Sequence, residues 1–278
     1  TIILLTGANG FLGSNLLYHI LNHGNISNLL IICIVRGKTD LNAKQRLEQA
    51  AKIFGWNCNN DERIIAFCGD LEQNKLGLSL KSYESIQTML KRAKNSFILH
   101  CGAKVSGAVS LDGLFEANVN GTARIIQLCF ETNSKLIHIS STGLLGGSQQ
   151  KHESINVSSK ALHTLSGYAQ SKWLAEQVIF KSIEKGFDSQ ISIIRCGTIS
   201  SNSENGIGNP HDSVVKLLKG IIKENSVCVE IGSPLPQAFT MVPVDTTSLA
   251  IIDIMLQTEK DFEVFHVATR QQTFLSHL

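Results

Sequence analysis

Thr6-Gly7-Ala8-Asn9-Gly10-Phe11-Leu12-Gly13 is the stretch on which the fold turns. Four apolar residues, Ile2-Ile3-Leu4-Leu5, precede it, and an amphipathic stretch from Phe11 to Asn22 follows. Strand, glycine-rich turn and helix therefore meet here. Gly7 permits the tight turn, Gly10 lets backbone approach a pyrophosphate, and Gly13 lets helix and strand pack closely. The helix N-terminus adds unsatisfied N–H groups and the positive end of its dipole. Glycines also populate ordinary turns for steric reasons. The strand before and the helix after make this turn a dinucleotide cradle, with Thr6, Gly7, Asn9, Gly10, Phe11, Leu12 and Gly13 as its candidate residues.

Outward from the cradle the same rhythm repeats. Apolar runs at Ile2–Leu5, Leu29–Val35, Ile64–Phe67, Phe97–His100, Leu136–Ser140, Ser192–Arg195 and Val264–Val267 read as strands. They are near-continuous rather than alternating, as strands covered on both faces should be. Helical patterns lie between them, at Phe11–Asn22, Ala43–Phe54, Ser82–Ala93, Ala117–Thr132, Tyr168–Lys185 and Thr246–Gln257. The alternation predicts an α/β fold, a doubly wound parallel sheet of the Rossmann type with helices on both faces. Two stretches break it. Gly146 to Gly167 reads as a long polar loop. Ser200 to Thr240 holds Gly, Asn and Pro around an amphipathic segment, Asp212–Lys223. Inserts after the carboxyl ends of strands build substrate sites in such folds. The expected division is a dinucleotide-binding domain of residues 1–199 and 241–267, and a small substrate lobe of residues 200–240 and 268–278.

Composition narrows the class. Of 278 residues, 43% are hydrophobic and 17% charged, ordinary for a globular protein. A net charge of +2 gives no reason to expect nucleic acid as a partner. No apolar run is long enough to span a bilayer. The seven cysteines are scattered singly, which suits reduced, buried thiols in a cytoplasmic protein. The nine histidines are dispersed too, with no HExxH and no Cys/His cluster, so no metal is expected. The chain begins without Met, inside a strand, and ends at Phe274–Leu278 without a stop signal. It reads as part of a longer polypeptide.

The end of the second strand bears on the cofactor. A site for NAD carries Asp or Glu there for the ribose 2′-hydroxyl. This strand ends Cys33-Ile34-Val35-Arg36-Gly37-Lys38. A guanidinium stands in place of the acid, and its planar fork suits a 2′-phosphate. Asp40, a little beyond, competes as an ordinary helix cap. The expectation is NADP(H).

Tyr168-Ala-Gln-Ser-Lys172 opens a helix, and residues four apart share a face. A cation beside a phenol lowers its pKa and lets it serve as proton donor to an alkoxide. Many helices hold Tyr and Lys at this spacing by chance. Here the pair follows a strand ending Ile139-Ser140-Ser141, which stands two hydroxyls at the carboxyl edge of the sheet.

These residues carry a resemblance across nearly the whole chain. TGANGFLG, Gly69-Asp70-Leu71, His100-Cys-Gly-Ala103, Asn118-Val-Asn-Gly-Thr122, Ser140-Ser141 and YAQSK are similar to the signatures of extended short-chain dehydrogenases/reductases. Within that superfamily the chain most resembles the thioester reductase domains of non-ribosomal peptide and polyketide synthases, the family that includes carboxylic acid and aminoadipate reductases. The narrower signals are LLTGANGFLG followed by CIVRG, Arg46-Leu47 leading to Gly55-Trp56, GDLEQNKLGLS, GYAQSKWLAE and Val242-Pro-Val-Asp245.

The resemblance implies roles. Ser141, rather than Ser140, would hydrogen-bond the substrate carbonyl. Tyr168 would be the general acid, and Lys172 would hold the nicotinamide ribose and tune Tyr168. Asp70 and Leu71 would border the adenine. Cys101, Gly102 and Ala103 would line the adenine ribose and pyrophosphate side, and Lys104 and Asn118 would also bind the cofactor. Cys196, Gly197, Thr198 and Ile199 would pass the nicotinamide, with Cys196 where the family usually has Pro. The implied reaction is NADPH-dependent release of an acyl or peptidyl chain, as aldehyde or alcohol, from the phosphopantetheine arm of a carrier protein. Carrier domains of this kind are commonly acidic. Lys216, Lys219 and Lys223 lie at helical spacing and could face one, or could be an ordinary solvated helix face. Two other readings stand beside this one: a nucleotide-sugar epimerase or dehydratase, which shares the Tyr, Lys and Ser but usually favours NAD, and a non-catalytic NADP-binding domain, against which the intact Tyr168 and Lys172 speak.

Overall fold

Ile, Leu and Val dominate the short runs, and each run becomes a strand, the inner ones buried and the two edge ones mostly half-buried. The computed structural model describes residues 1–145, 162–163, 165–186, 190–224, 238–239, 241–257, 261–269 and 273–274. All seven expected strands lie within these: β1 (Ile2–Thr6), β2 (Leu30–Val35), β3 (Ile64–Cys68), β4 (Ser96–His100), β5 (Lys135–Ser141), β6 (Ile191–Cys196) and, late in the chain, β10 (Phe262–Val267). They form one parallel sheet in the order β10-β6-β5-β4-β1-β2-β3. The chain leaves β1 through β2 to β3 at one edge, then returns to β4 on the other side of β1. That reversal opens a crevice beyond the carboxyl ends of β1 and β4.

Helices cover both faces. One core lies under α1 (Phe11–Leu21), α2 (Asp40–Ile53) and α8 (Val244–Gln257), with Leu16, Leu17, Leu47 and Ile251 on the sheet face that holds Ile3, Leu5 and Ile137. The other lies under α3 (Leu80–Arg92), α5 (Gly121–Thr132) and α6 (Gly167–Glu184), against Leu4, Ile98, Leu136 and Ile193. Tyr83, Ile86 and Leu90 of α3 are all buried, three and four apart, which is why this otherwise polar segment holds as a helix.

Helix starts differ from the expectations by up to a turn, and caps explain it. Thr39 accepts the N–H of Asn42, so α2 begins at Asp40 rather than Ala43. Ser79 does the same for Ser82, so α3 begins at Leu80. The segment expected from Ala117 begins earlier, with α4 (Leu111–Phe115), and passes through a π turn at Glu116–Asn120 into α5.

Four short strands went unforeseen, and two of them, β7 (Thr198–Ser200) and β9 (Met241–Pro243), pair in parallel. These two hold the two ends of the insert side by side, outside the main sheet. The insert contains α7 (Ser213–Glu224), close to the expected amphipathic segment, and β8 (Ala238–Phe239), which pairs with β11 (Thr273–Phe274). Most of the expected loop from Gly146 to Gly167 lies outside the described residues. So do residues 225–237, 270–272 and 275–278 of the expected lobe. Among the described residues no helix is long and apolar enough to cross a membrane.

Candidate active site

The glycine turn takes the shape its sequence requires. Gly7 has φ +74°, and a side chain there would stand 2.8 Å from the backbone of Gly102, at the end of β4. A side chain at Gly13 would collide with the carbonyl of Gly7. The two carboxyl-end loops, after β1 and after β4, are thus in direct backbone contact. Gly10, the N-cap of α1, offers no side chain to the helix. The first-turn N–H groups of Phe11, Leu12 and Gly13 have no intrahelical acceptor and lie in the wall of a cavity of about 730 Å³. Tight glycines and an uncapped helix N-terminus are what a dinucleotide's pyrophosphate needs, so these residues fit that group.

At one end of the cavity stand Arg36, Asp70 and Leu71, with Ile34 and Glu72. Asp40 is not the cap of α2. Its carboxylate accepts the N–H of Cys68 at 2.7 Å, because Thr39 already fills the cap position. This turns the nearest acid onto the end of β3. Asp70 is presented by a left-handed turn, in which Lys75 and Leu76 both have positive φ and the Leu76 carbonyl accepts Asp70 N–H at 2.6 Å. Leu71 is held from the other side, its carbonyl accepting from Arg124 at 2.9 Å.

The middle of the cavity is ordered by a buried chain of hydrogen bonds. Gly102 N–H donates to Thr6 Oγ1 at 2.9 Å, and Thr6 Oγ1 lies 2.8 Å from His100 Nδ1. His100 Nε2 lies 3.2 Å from Thr122 Oγ1, whose own proton goes to the Asn118 carbonyl at 2.7 Å. The direction follows: Thr122 accepts from Nε2–H, so Nδ1 accepts from Thr6. Burial, reinforced by Lys172, holds His100 down at about 3, so the ring is neutral, as this network requires. Cys101, Gly102, Ala103 and Lys104 line the cavity. Asn118 does not. Its side chain accepts Lys104 N–H at 2.7 Å and donates to the Lys104 carbonyl and to Ser171 Oγ. It sits behind the wall, on the π turn, and ties the loop after β4 to α6.

At the far end, Ser141, Tyr168 and Lys172 share the cavity with Cys196, Gly197, Thr198 and Ile199. Ser166 caps α6, so Tyr168 falls in its first turn. Ser140 and Ser141 both line the cavity, and their hydrogen bonds tell them apart. Ser140 is buried and donates to Glu176 at 2.6 Å. Ser141 Oγ accepts Gly143 N–H at 3.1 Å, leaving its own proton to give. Lys172 is buried, donates to the Ile139 carbonyl at 2.7 Å, and lies 5.9 Å from the centre of the Tyr168 ring. Burial pulls this ammonium down to about 8, against the opposing influence of Cys101, Cys196 and Glu176. The expected lowering of Tyr168 is not found. Burial, then Cys101 and Cys196, push its hydroxyl above the ordinary tyrosine value, and the phenol stays protonated.

Sequence reasoning missed several residues. Asn209 and Asp212 of the insert, Thr142 and Gly143 also line the cavity. Asp245, in the Val-Pro-Val-Asp motif, accepts both Ser203 N–H and Ser203 Oγ–H, and so hangs the loop leading to Asn209 from the start of α8. Glu176, inside the quoted helix motif, forms a fully buried ion pair with Arg195. Among the described residues no group of His, Cys, Asp and Glu could hold a metal.

The chain is 30% identical over 276 residues to a linear gramicidin synthase chain of Brevibacillus parabrevis, covering 97% of this chain and 5% of that one. It is 31% identical over 279 residues to the aldehyde reductase lnaA of Aspergillus flavus, covering 95% and 25%. The chain thus spans a quarter or less of these curated relatives. The crystal structure of the terminal R domain from the myxalamid PKS-NRPS biosynthetic pathway superposes with a TM-score of 0.85 at 29% identity, covering 99% of this chain and 67% of that one. The model of the family described as Male sterility protein matches residues 5–251, which takes in the glycine cradle, the Ser-Tyr-Lys cluster and the first half of α8, and the chain belongs to that family of NAD-binding domains.

Proposed function

We propose that this chain is a thioester reductase that uses NADP(H) and releases an acyl or peptidyl group from a carrier protein as an aldehyde. The observation that carries the reading is the convergence of Ser141, Tyr168 and Lys172 in the wall of the same cavity that the glycine cradle lines. Relatives named as a linear gramicidin synthase, an aldehyde reductase and a terminal R domain support the acyl thioester as substrate class. NADP over NAD is supported by Arg36 in the cavity wall and by Asp40 being engaged at Cys68, leaving a guanidinium beside the adenine ribose position.

When bound, the reduced nicotinamide supplies a hydride to the thioester carbonyl carbon. The chain's residues govern the oxygen. Ser141, oriented by Gly143 N–H, donates a hydrogen bond to it, and the effect is electrostatic stabilisation where negative charge develops. Tyr168, held protonated, gives its proton to that oxygen. Lys172 provides the cation that steadies the resulting phenolate and binds the cofactor ribose. Collapse of the hemithioacetal returns the hydroxyl proton to Tyr168 and expels the pantetheine sulfur, which leaves as a thiol after taking a proton. The lobe of residues 200–240 would frame the acyl chain, with Asn209 and Asp212 at its inner edge.

The test is turnover of an acyl thioester with NADPH, with the aldehyde identified by mass spectrometry. Tyr168→Phe should lower the rate by about 10²–10⁴-fold while cofactor affinity survives. Near-normal turnover in that variant removes Tyr168 from the reaction. Isomerisation of a nucleotide sugar, or cofactor binding with no turnover of any thioester, would overturn the reading itself.

A further inference from the structure

We propose that Glu176 is a positioning residue that locks the strand carrying Ser141 to the helix face carrying Tyr168 and Lys172. This rests on the reaction proposed above. Glu176 does not line the cavity, and it is four residues beyond Lys172 and eight beyond Tyr168 on α6. Its side chain is 1% exposed. One oxygen, Oε1, accepts from Ser140 Oγ at 2.6 Å and from Arg195 Nε at 3.0 Å. The other, Oε2, accepts from Arg195 Nη2 at 2.7 Å. Arg195 is fully buried on β6, and its Nη1 reaches His266 Nε2 on β10 at 3.4 Å.

The geometry makes this more than a core ion pair. Ser140 faces Arg195 across the β5–β6 ladder, and Ser141 faces Cys196. A carboxylate on the overlying helix therefore grips the side chain of the residue that precedes Ser141. Lys172 grips the same strand one residue earlier, through the Ile139 carbonyl. Helix and strand are pinned at two successive residues, and the next residue in line is Ser141. A bidentate Arg–carboxylate pair is the stiffest side-chain clamp available for this, and full burial removes competing water.

Glu176 also bears on the charge of Lys172. The groups around that ammonium are Tyr168 and Glu176 on α6, Cys101 and His100 at the end of β4, His138 on β5 and Cys196 on β6. The thiols are held protonated by burial and both histidines neutral. Glu176 is then the anion of this set, and it favours the charged form of Lys172.

The test compares Ser140→Ala, Ser140→Thr, Glu176→Gln and the double variant Ser140→Ala/Glu176→Gln. Ser140→Ala removes the grip and leaves the ion pair, so it is expected to fold. Its kcat should fall about tenfold with the thioester KM and cofactor affinity within about twofold, since only alignment is lost. Ser140→Thr keeps the hydroxyl and should restore most of the rate. The double variant should be no slower than the slower single variant, because both break one link. ¹⁵N NMR titration of the Lys172 ammonium supplies a readout apart from activity: its midpoint should fall in Glu176→Gln and stay put in Ser140→Ala. Should Glu176→Gln fail to fold, the Ser140 pair still decides the matter. Unchanged kcat in Ser140→Ala, or additive losses showing that Ser140 meets the substrate itself, overturns the proposal. Absence of thioester turnover in the unaltered protein strikes the proposed reaction instead, and the titration then tests Glu176 on its own.

Discussion

Two opposing demands meet on Lys172. The proposed chemistry needs its cation, while burial favours the neutral amine and brings it to about 8 from an ordinary 10.5. The active form is the protonated one, so kcat/KM should be level below that value and fall as pH rises through it. Lys172→Arg keeps the charge at every accessible pH and should flatten this limb, at a lower absolute rate. A pH–rate profile of the unaltered protein that stays level to pH 10 would contradict the assignment. Arg36 supports a second prediction. Arg36→Ala should erode the preference for NADPH over NADH by roughly ten- to a hundredfold, the worth of a charge-assisted phosphate contact. Equal affinity for both cofactors before mutation would count against Arg36. Tyr168, Lys172 and Ser141 could be named from sequence because each motif is local. Glu176 could not, although it stands in the same helix motif. Its partners are 36 residues earlier and 19 residues later, on two neighbouring strands, and nothing in the spacing reveals a cross-sheet bond. The same blindness applied to Asn118, whose motif was visible but whose side chain serves the Lys104 backbone.

For whole elements, near-continuous apolar runs marked every strand of the main sheet, including the edge strands β3 and β10, which are only half-buried. Helix ends were less legible. A side-chain cap acts one turn before the apolar periodicity begins, as Thr39 and Ser79 show. The π turn at Glu116–Asn120 left no mark in composition either. The β1–α1 turn yields the firmest prediction at this scale. Gly13→Ala places a methyl group against the Gly7 carbonyl, and neither backbone can move without disturbing Gly102. It should cost about 1–3 kcal/mol of stability, visible as a lowered Tm, and should weaken cofactor binding with it. An unchanged Tm together with unchanged affinity would show that the turn has slack.

For the whole molecule, the insert between β7 and β9 is where the proposed partner would be recognised. Lys216, Lys219 and Lys223 are exposed on α7. Reversing their charge should raise the apparent KM for a carrier-bound acyl substrate about tenfold, more at low salt, and leave a small acyl thioester unaffected. Equal effects on both substrates would make the three lysines an ordinary solvated face. The sheet order has a consequence for biosynthesis as well. β6 carries Arg195, yet its outer neighbour is β10, made more than sixty residues later. Until Phe262–Val267 has left the ribosome, β6 is the rim of a six-stranded sheet, and the guanidinium meant to clamp Glu176 faces water from that side. The nucleotide cradle is translated first and the clamp behind Ser141 is sealed last. A nascent chain should therefore acquire cofactor affinity before it acquires turnover.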